Sequence, residues 1–396
     1  MKLSSKMEKC GLSPMRKFAP YADAAKARGI NIYHLNIGQP DIPTPAVYLD
    51  VLHNFSEPVL AYAYSTGIPV LQDAVCGYYD KIGVKLDRSN ILITTGGSEA
   101  LNMAFASILD DGDEIIIPEP YYPNYATFVT LAGAAVHPLH TSPEDGYHYA
   151  ERERIEECIN ERTRAIMITN PGNPTGTVLT RDELHMLLDV AKEHDLFLVC
   201  DEVYREFIYS GEPLMSALQF DGYEDNLIII DSVSKRFSAC GARIGILISR
   251  NESFMQSALK WCQARLAVAT IDQRVAAGLY TVGSEYFESV RREYKLRRDT
   301  LMAKLHEIPG VICAEPQGAF YAMVSLPIDD ADKFQTWLLT DFDYEGDTVM
   351  FACGEPFYGT PNTGKNEVRL AYVLKKEDLE RAIDVLKVAI EQYNNR

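Results

Sequence analysis

The chain has 396 residues, of which 47% are hydrophobic and 24% are charged. These values are typical of globular proteins and argue against a disordered, collagenous or coiled-coil protein, and the length favours two domains. The 38 Lys and Arg residues against 56 Asp and Glu residues give a formal net charge of −18. Because such a charge repels phosphate backbones and anionic lipids, nucleic-acid and membrane-surface roles are disfavoured.

The eight cysteines are spread along the chain and form no CxxC pair. This spacing indicates neither a zinc knuckle nor a compact disulfide framework. The N-terminus lacks the apolar core of a signal peptide, and no apolar run reaches the length that spans a bilayer. We therefore expect a cytoplasmic protein whose cysteines are reduced.

Short runs of apolar and β-branched residues recur in the first part of the chain and are predicted to be strands buried on both faces. In chain order they are Ile91–Thr95, Glu114–Ile117, Ala165–Thr169, Leu196–Cys200, Leu227–Asp231 and Ile244–Ile248. The clearest helix between them is Arg181–Glu193, where Thr180 and Glu183 form a capping box. This alternation predicts an α/β fold with a mostly parallel sheet, and a ligand site beyond the carboxyl ends of its strands.

After residue 250 the pattern changes to long helical stretches, which indicate a second, smaller α+β domain. They include Glu285–Glu307 and an amphipathic helix from Lys376 to about Tyr393, with a short strand-like run at Ala319–Val324 between them. The first forty residues precede the alternating region, so we expect them to pack with the smaller domain. The predicted division is a large domain over residues 48–290 and a small domain made of residues 1–47 and 291–396.

Four motifs at predicted strand ends carry candidate chemistry. Gly96, Gly97 and Ser98 lie between a strand and a helix, where free backbone amides can bind a phosphate, although glycines there more often form a plain turn. Asn173 lies in the loop Asn170–Gly176, whose two prolines can hold a side chain at a fixed angle; the alternative is an ordinary loop.

The other two motifs place charged groups at strand ends. Asp201 begins Asp-Glu-Val-Tyr, which ends in Tyr204, and a carboxylate emerging from an apolar strand needs a cationic partner or strong donors. Lys235 follows Ser232 by three residues and precedes Arg243. A lysine held among buried groups can be driven to its neutral form and condense with an aldehyde, although a lone lysine is usually a solvated surface residue.

Together the four motifs resemble the fold type I pyridoxal-phosphate enzymes, specifically class I and II aminotransferases of the aspartate aminotransferase kind. The resemblance extends from Leu35–Asp41 through Tyr62–Ile68 to Glu367–Leu370. It implies a large domain with a mostly parallel central sheet flanked by helices and a smaller α+β domain. It also implies pyridoxal 5'-phosphate as cofactor, and transfer of an amino group from an L-amino acid to a 2-oxo acid.

The resemblance also implies residue roles. Lys235 would condense with the cofactor aldehyde and move the substrate proton, and Asp201 would pair with the pyridine nitrogen and keep it protonated. Arg369 would bind the substrate α-carboxylate through two hydrogen bonds, assisted by the backbone at Gly38 and by Asn173. The remaining cofactor contacts implied are Asn173 and Tyr204 at the phenolic oxygen, Tyr122 on the ring face, and Gly97, Ser98, Ser232 and Arg243 at the phosphate, with Tyr62 reaching the phosphate from the partner subunit of a homodimer.

The chain departs from relatives at several places. Tyr122 stands where many members carry Trp, and Ala242 precedes Arg243 where an aromatic residue is frequent. Some aspartate-specific relatives place a lysine after the paired glycines, whereas this chain has Ser98 and then Glu99, the wrong sign for a second carboxylate. We therefore expect a broad donor range in which alanine or aromatic amino acids compete with aspartate. The segment 352–365 looks longer than usual and is expected to border the substrate pocket.

Other functions remain as alternatives. The nearest is a different reaction of the same cofactor, a lyase or a decarboxylase, since a fold does not determine its chemistry. A remote one is a P-loop NTPase, because Gly359–Lys365 matches G-x-x-x-x-G-K; the match fails at Asn366, where Ser or Thr should bind magnesium, and a strand-like run follows where a helix should begin. His137 and His140 could suggest a metal site, but a surface pair without further ligands is the more frequent case.

Overall fold

The computed structural model describes residues 1–211 and 215–396, which form helices and strands in alternation over most of the chain. The strands are β1 (Asn31–His34), β2 (Ile91–Thr95), β3 (Glu114–Pro118), β4 (Ala135–Leu139), β5 (Thr163–Thr169), β6 (Phe197–Asp201), β7 (Leu227–Ser232), β8 (Ile244–Ile248), β9 (Tyr321–Ser325), β10 (Asp347–Met350), β11 (Ala352–Cys353) and β12 (Glu367–Ala371).

The helices flank these strands. They are α1 (Ser5–Lys9), α2 (Ala19–Ala27), α3 (Val47–His53), α4 (Pro69–Asp80), α5 (Gly96–Ile108), α6 (Asn124–Ala132), α7 (Arg152–Cys158), α8 (Arg181–Glu193), α9 (Val233–Arg236), α10 (Glu252–Arg265), α11 (Thr270–Leu279), α12 (Ser284–Leu305), α13 (Ala331–Thr340) and α14 (Lys376–Asn394). Short 3₁₀ helices lie at Pro14–Arg16, Arg88–Asn90, Ala217–Gln219, Cys240–Ala242 and Glu355–Phe357.

A seven-stranded sheet forms the centre of the molecule, in the order β2-β8-β7-β6-β5-β3-β4. The pairs from β7 to β4 are parallel, and β8 is antiparallel to both of its neighbours. All strands of this sheet except β8 therefore point in one direction. The mostly parallel sheet predicted from the sequence is confirmed, and it contains the six strand segments predicted before residue 250, whereas the predicted run Ala319–Val324 overlaps β9, which belongs to a smaller sheet.

The central sheet is buried on both faces, as its apolar runs predict. Along β5, Ile166 and Ile168 belong to one hydrophobic cluster while Ala165 and Met167 belong to another, because successive side chains point to opposite faces. Helices α4, α8 and α11 cover the first face, and helices α5, α6 and α10 cover the second. Helix α8 begins at the predicted capping box, in which Thr180 and Glu183 exchange hydrogen bonds.

A further hydrophobic cluster lies around two small sheets. Strand β9 pairs antiparallel with β12, which pairs with β11, and β1 pairs in parallel with β10. This cluster includes Ala22 and Leu35 from the first forty residues together with buried residues of α13 and α14. No helix of residues 1–211 and 215–396 is long and apolar enough to cross a lipid bilayer.

Candidate active site

The topology of the central sheet explains why residues distant in sequence meet at one edge. The carboxyl ends of β2, β5, β6 and β7 lie at the same edge, since these strands run in the same direction. Strand β8 runs the opposite way, so Arg243, which immediately precedes it, lies at that edge too. Ligand sites in open α/β sheets occur at this edge.

A cavity of about 640 Å³ opens at this edge and contains nearly all of the predicted site residues. Its lining includes charged groups of the N-terminal segment, Arg16, Asp23 and Lys26, together with His34. The predicted residues that line it are Gly38, Gly97, Ser98, Tyr122, Asn173, Asp201, Tyr204, Ser232, Lys235, Arg243 and Arg369.

Asp201 ends β6 and is buried, so its carboxylate depends on nearby donors. The Tyr125 hydroxyl donates to its Oδ2 at 2.7 Å, and the Val203 amide donates to its Oδ1 at 3.2 Å. Tyr125 also lies 2.8 Å from the Thr169 hydroxyl. Burial nevertheless raises the pKa of Asp201 to about 6, against these hydrogen bonds. Among the described residues, Asp201 has hydrogen-bond donors but no ion-pair partner, and a protonated ring nitrogen in the cavity would supply the missing cation.

Lys235 lies in the short helix α9, directly after β7. Its Nζ donates to the Gly38 carbonyl at 2.9 Å and lies 3.7 Å from the Cys240 sulfur. Buried ion pairs join Arg236 of α9 to Asp231 of β7, and Asp231 in turn to Arg205, which follows β6. These pairs keep α9 and the end of β6 together, which places the lysine amine in the cavity.

An anion cradle lies between β2 and α5. The amides at the beginning of this 13-residue helix face the cavity through Gly97 and Ser98, and Arg243 brings a positive charge to the same place. A Cβ on Gly96 would lie 2.4 Å from Arg243 Nη2, so the glycine is required for this close approach. The Ser232 hydroxyl, which lines the cavity, accepts from the Ser234 amide at 3.1 Å and donates to Ile244 O or to Ser234 Oγ, both 2.8 Å away.

Arg369 enters the cavity from β12 and is held by neighbouring groups. It donates to Asn173 Oδ1 at 3.1 Å and to the Asn36 carbonyl at 2.9 Å. Its guanidinium lies 4.4 Å from the centre of the Tyr321 ring and 5.2 Å from that of Phe357. The two aromatic rings and the two acceptors hold the planar guanidinium in a fixed orientation. Bidentate binding of a carboxylate requires such a fixed guanidinium.

The tyrosines complete the wall of the cavity. Tyr204 lies 3.0 Å from the Tyr321 hydroxyl and accepts from Asn173 Nδ2 at 3.4 Å. Tyr122 packs edge-on against Tyr125, with ring centres 5.5 Å apart, and its hydroxyl accepts from Asn124 at 2.7 Å. Burial raises the pKa of Tyr122. These rings surround the space between Asp201 and Arg369.

Tyr62 is the one predicted residue that does not line the cavity. Its side chain is 85% exposed. The segment around Tyr62 is held by the end of α10 and the beginning of α11. Arg265 of α10 donates to the Ser65 carbonyl at 3.1 Å, and Thr270 of α11 donates to the Ala61 carbonyl at 2.9 Å. Tyr62 therefore points away from the cavity of its own chain.

Glu99 does not place a negative charge in the cavity, although its position after Ser98 in the sequence suggests that it would. Its carboxylate accepts from the Thr95 amide at 2.5 Å and pairs with Arg265 at 3.3 Å, and it does not line the cavity. The segment 352–365 is expected from the sequence to border the pocket, but the cavity lining includes none of its described residues. Its Phe357 ring nevertheless contacts the Arg369 guanidinium, which lies 5.2 Å from the ring centre.

The structure also bears on two alternatives from the sequence, a P-loop NTPase and a metal site at His137 and His140. Gly359–Lys365 is followed by strand β12 and no helix begins there, so a P-loop is excluded. His137 and His140 lie beside Glu114 and Glu119, at 3.3 and 3.1 Å. Among the described residues, no group of three or more His, Cys, Asp and Glu could hold a metal ion.

Several cavity residues are not predicted by the sequence motifs, above all Tyr125, Tyr321, Asn36 and Cys240. Tyrosine is frequent in this chain, with 23 residues, so composition alone does not single out two of them. One signal is available for Tyr125: it follows the Tyr-Tyr-Pro run by two residues and opens the helix next to β3.

Comparisons with known proteins agree on one family. The sequence model of "Aminotransferase class I and II" matches residues 30–386. An aspartate aminotransferase of Bacillus subtilis is 32% identical over 405 residues, covering 100% of both chains. An aromatic-amino-acid aminotransferase of Thermococcus litoralis is 30% identical, covering 99% of both chains.

Solved structures give the same result. The aspartate aminotransferase of Thermus thermophilus with maleate has a TM-score of 0.88 at 27% identity and covers 98% of this chain and 100% of its own. An alanine aminotransferase of Pyrococcus furiosus has a TM-score of 0.89 at 27% identity and covers 99% of this chain and 100% of its own.

Proposed function

The chain belongs to the class I and II aminotransferases, and on that premise we propose which of its residues perform the amino transfer. The enzyme uses pyridoxal phosphate and moves an amino group from an L-amino acid to a 2-oxo acid. The observation that carries the residue assignment is the convergence of Lys235, Asp201, Arg243 and Arg369 on one cavity. The relatives reported above are all named aminotransferases, which gives no support to a lyase or a decarboxylase.

The donor set fits pyridoxal phosphate. Gly97, Ser98, Ser232 and Arg243 would hold its phosphate, since amides of a helix N-terminus and a guanidinium meet there without a Cβ in the way. Asp201 would hold the ring nitrogen, because it is a buried carboxylate that has donors but no cation. The further contacts are Tyr122 on the ring face and Asn173 and Tyr204 at the phenolic oxygen.

The chemistry is divided between cofactor and protein. Pyridoxal phosphate, when bound, supplies a ring that delocalises the electron pair left by removal of the substrate α-proton. Asp201 keeps the ring nitrogen protonated. Lys235, whose amine lies at the Gly38 carbonyl, takes the α-proton and returns it. Arg369 holds the α-carboxylate that every donor shares, which sets the α-carbon beside Lys235.

The substrate range is proposed to be broad. Ser98 offers no positive charge to a distal carboxylate, and Glu99 is already paired with Arg265 outside the cavity. The N-terminal segment contributes charges of both signs to the cavity lining, the positive Arg16 and Lys26 and the negative Asp23. Alanine and aromatic donors should therefore compete with aspartate, and the relatives reported above include aspartate, aromatic-amino-acid and alanine aminotransferases.

We also propose a homodimer with shared active sites, in which the exposed Tyr62 reaches the phosphate of the partner's cofactor. Apolar side chains next to it, Val59 and Leu60, are 70% and 60% exposed, and this supports a protein interface there.

The division into domains at residues 48–290 and at 1–47 with 291–396 remains a proposal, supported by the separate hydrophobic cluster around β9 and β12. A cytoplasmic location is proposed because all eight cysteines are free.

The function is tested by cycling the cofactor. Adding an amino acid to the loaded enzyme should convert the cofactor from its aldehyde form to its amine form, and a 2-oxo acid should reverse the change; absorbance follows both. A panel of aspartate, alanine and phenylalanine with 2-oxoglutarate then measures the donor range. Release of ammonia or carbon dioxide without the reverse step would indicate a lyase or a decarboxylase. A preference for aspartate by several orders of magnitude would reject the broad range.

A further inference from the structure

Glu119 is a buried carboxylate that does not line the cavity. It directly follows β3, which runs parallel to β5, so it lies at the same edge of the central sheet as the cavity. Its side chain has no exposed surface. A carboxylate in such a place is costly unless donors surround it, and the roles proposed above do not use it.

The donors come from the segment 355–360. Glu119 Oε2 accepts from the Gly359 amide at 2.8 Å and from the Thr360 amide at 3.0 Å. Its Oε1 accepts from the Thr360 hydroxyl at 2.6 Å and lies 3.1 Å from His140 Nδ1. Gly359 and Thr360 begin the run that matches a phosphate-binding motif in the sequence. Their consecutive amides bind an anion after all, and this anion is a carboxylate of the chain itself.

The segment 355–360 is attached at two further places. The Phe357 carbonyl accepts from the Tyr121 amide at 2.8 Å, which joins the segment to the loop after β3 a second time. The Tyr358 hydroxyl donates to Glu367 Oε2 at 2.7 Å, at the beginning of β12. These bonds fix the position of the segment between β3 and β12.

Phe357 is the part of this segment that reaches the proposed substrate site. Its ring is fully buried, and its centre lies 5.2 Å from the Arg369 guanidinium. We propose that Glu119 is a positioning residue, which holds the segment 355–360 so that Phe357 packs against Arg369 and keeps the guanidinium in the orientation that binds the substrate carboxylate. The proposal rests on the assignment of Arg369 to that carboxylate, made above.

The test measures how tightly the cofactor-loaded enzyme binds a carboxylate that cannot react. The probe is hydrocinnamate, which has a carboxylate and no amino group, and its inhibition constant is measured against an amino donor. In Glu119→Ala the donors of Gly359 and Thr360 lose their acceptor, so Phe357 no longer holds the guanidinium in place. The inhibition constant should rise at least about tenfold, the effect of losing one hydrogen bond to a charged group. KM should rise for all amino donors and 2-oxo acids, while kcat changes much less.

Glu114→Ala is the matched control. Glu114 begins the same strand at its other end and is also buried, and it does not line the cavity. It accepts from Asn160 at 2.8 Å and pairs with Arg162 at 2.5 Å. Its removal should lower the melting temperature but leave the inhibition constant of the wild type. An unchanged inhibition constant in Glu119→Ala, or an equal rise in Glu114→Ala, overturns the proposal.

Milder substitutions keep the test valid if Glu119→Ala does not fold. Glu119→Gln should recover most of the binding, because its oxygen can accept from both amides while the Thr360 hydroxyl turns to accept from its amide. Thr360→Val removes the hydroxyl and should raise the inhibition constant by a smaller factor, whereas Thr360→Ser, which keeps the hydroxyl, should not. Equal inhibition constants in these two Thr360 variants contradict the proposal.

Arg369→Lys separates this proposal from the assignment on which it rests. It should raise the inhibition constant, and Glu119→Ala should add no further rise in that background, because Glu119 acts through the guanidinium. If Arg369→Lys raises the constant and Glu119→Ala does not, Arg369 binds the carboxylate and the role of Glu119 is wrong. If Arg369→Lys changes nothing, the assignment of Arg369 fails, and the role of Glu119 fails with it.

Discussion

Asp201 illustrates how burial is used at the scale of a single residue. Its carboxylate has the Tyr125 hydroxyl and one amide as donors, and its pKa is still raised to about 6. Without the cofactor, ionising this group in the folded protein costs free energy. The protonated form of Asp201 therefore contributes stability to the cofactor-free fold, and this contribution is fully present below the ordinary pKa of aspartate. It is lost as the pH rises through about 6.

This gives a prediction about cofactor binding. The protonated ring nitrogen would neutralise Asp201, so the stabilisation that the cofactor provides should grow by about 1.4 kcal/mol as the pH rises from 5 through 6, and then level off toward pH 8. Thermal unfolding of the enzyme with and without cofactor measures it. In Asp201→Asn the growth should disappear, and turnover should fall at least about 100-fold because the electron sink weakens. Near-normal turnover in this variant would remove Asp201 from the mechanism.

The predicted site residues show what a sequence can and cannot reveal. Asp201, Lys235 and Arg243 are recognisable because charged groups are unusual at the ends of apolar strands. Tyr125 and Tyr321 have no such signal, since each acquires its role only when another element folds against it. The role of Glu99 is hidden for the same reason: its partner, Arg265, lies 166 residues away in the chain.

At the scale of elements, the junction of β2, α5 and β8 decides whether a phosphate fits. Gly96 has φ +74° and touches the Arg243 guanidinium, while a Cβ on Gly245 would lie 2.3 Å from the Gly96 carbonyl carbon. Both glycines allow the strand, the helix N-terminus and the arginine to come together. The cradle is therefore a property of three elements and not of the glycine motif alone.

Gly96→Ala should weaken cofactor binding. The added methyl group would displace Arg243 and strain a left-handed backbone. We expect the cofactor dissociation constant to rise at least about tenfold, the result of losing about 1.4 kcal/mol of binding free energy. Gly77→Ala in α4 is the control, since nothing lies within 4 Å of the place that a Cβ would take there. Equal cofactor affinity in both variants would show that the cradle tolerates a side chain.

The elements themselves are predictable to different degrees. Six of the seven strands of the central sheet are largely apolar runs, and the sequence locates these six within one or two residues. Strand β4, Ala135–Leu139, is not predicted because it contains His137 and Pro138, and it lies at the edge of the sheet where such residues are tolerated. Strands β1, β10 and β11 are four residues long or shorter, too short for a periodic pattern to emerge.

At the scale of the whole molecule, one residue predicted to contact the cofactor does not line the cavity. Tyr62 points outward, 85% exposed, beside exposed apolar side chains. A second copy of the chain covering this surface, as proposed above, would explain it. The complete active site would then contain residues of two subunits, and assembly would be a condition for cofactor binding.

Two substitutions separate assembly from cofactor contact. The wild type should be a dimer by light scattering. Val59→Glu should place a charge in the interface, shift the protein toward monomer and weaken cofactor binding. Tyr62→Phe should remain a dimer and hold the cofactor less tightly, because only the hydroxyl at the phosphate is lost. A monomeric wild type, or a Tyr62→Phe variant with unchanged cofactor affinity, contradicts the shared site.

Lys235 is proposed to carry the cofactor in this cavity. Reduction of the loaded enzyme with borohydride, followed by digestion and peptide mass spectrometry, tests it most directly. We predict cofactor attached to the peptide that contains Lys235, and a Lys235→Ala variant that still retains some cofactor through the phosphate contacts but shows no turnover. Attachment to any other lysine, or turnover in Lys235→Ala, would contradict this assignment.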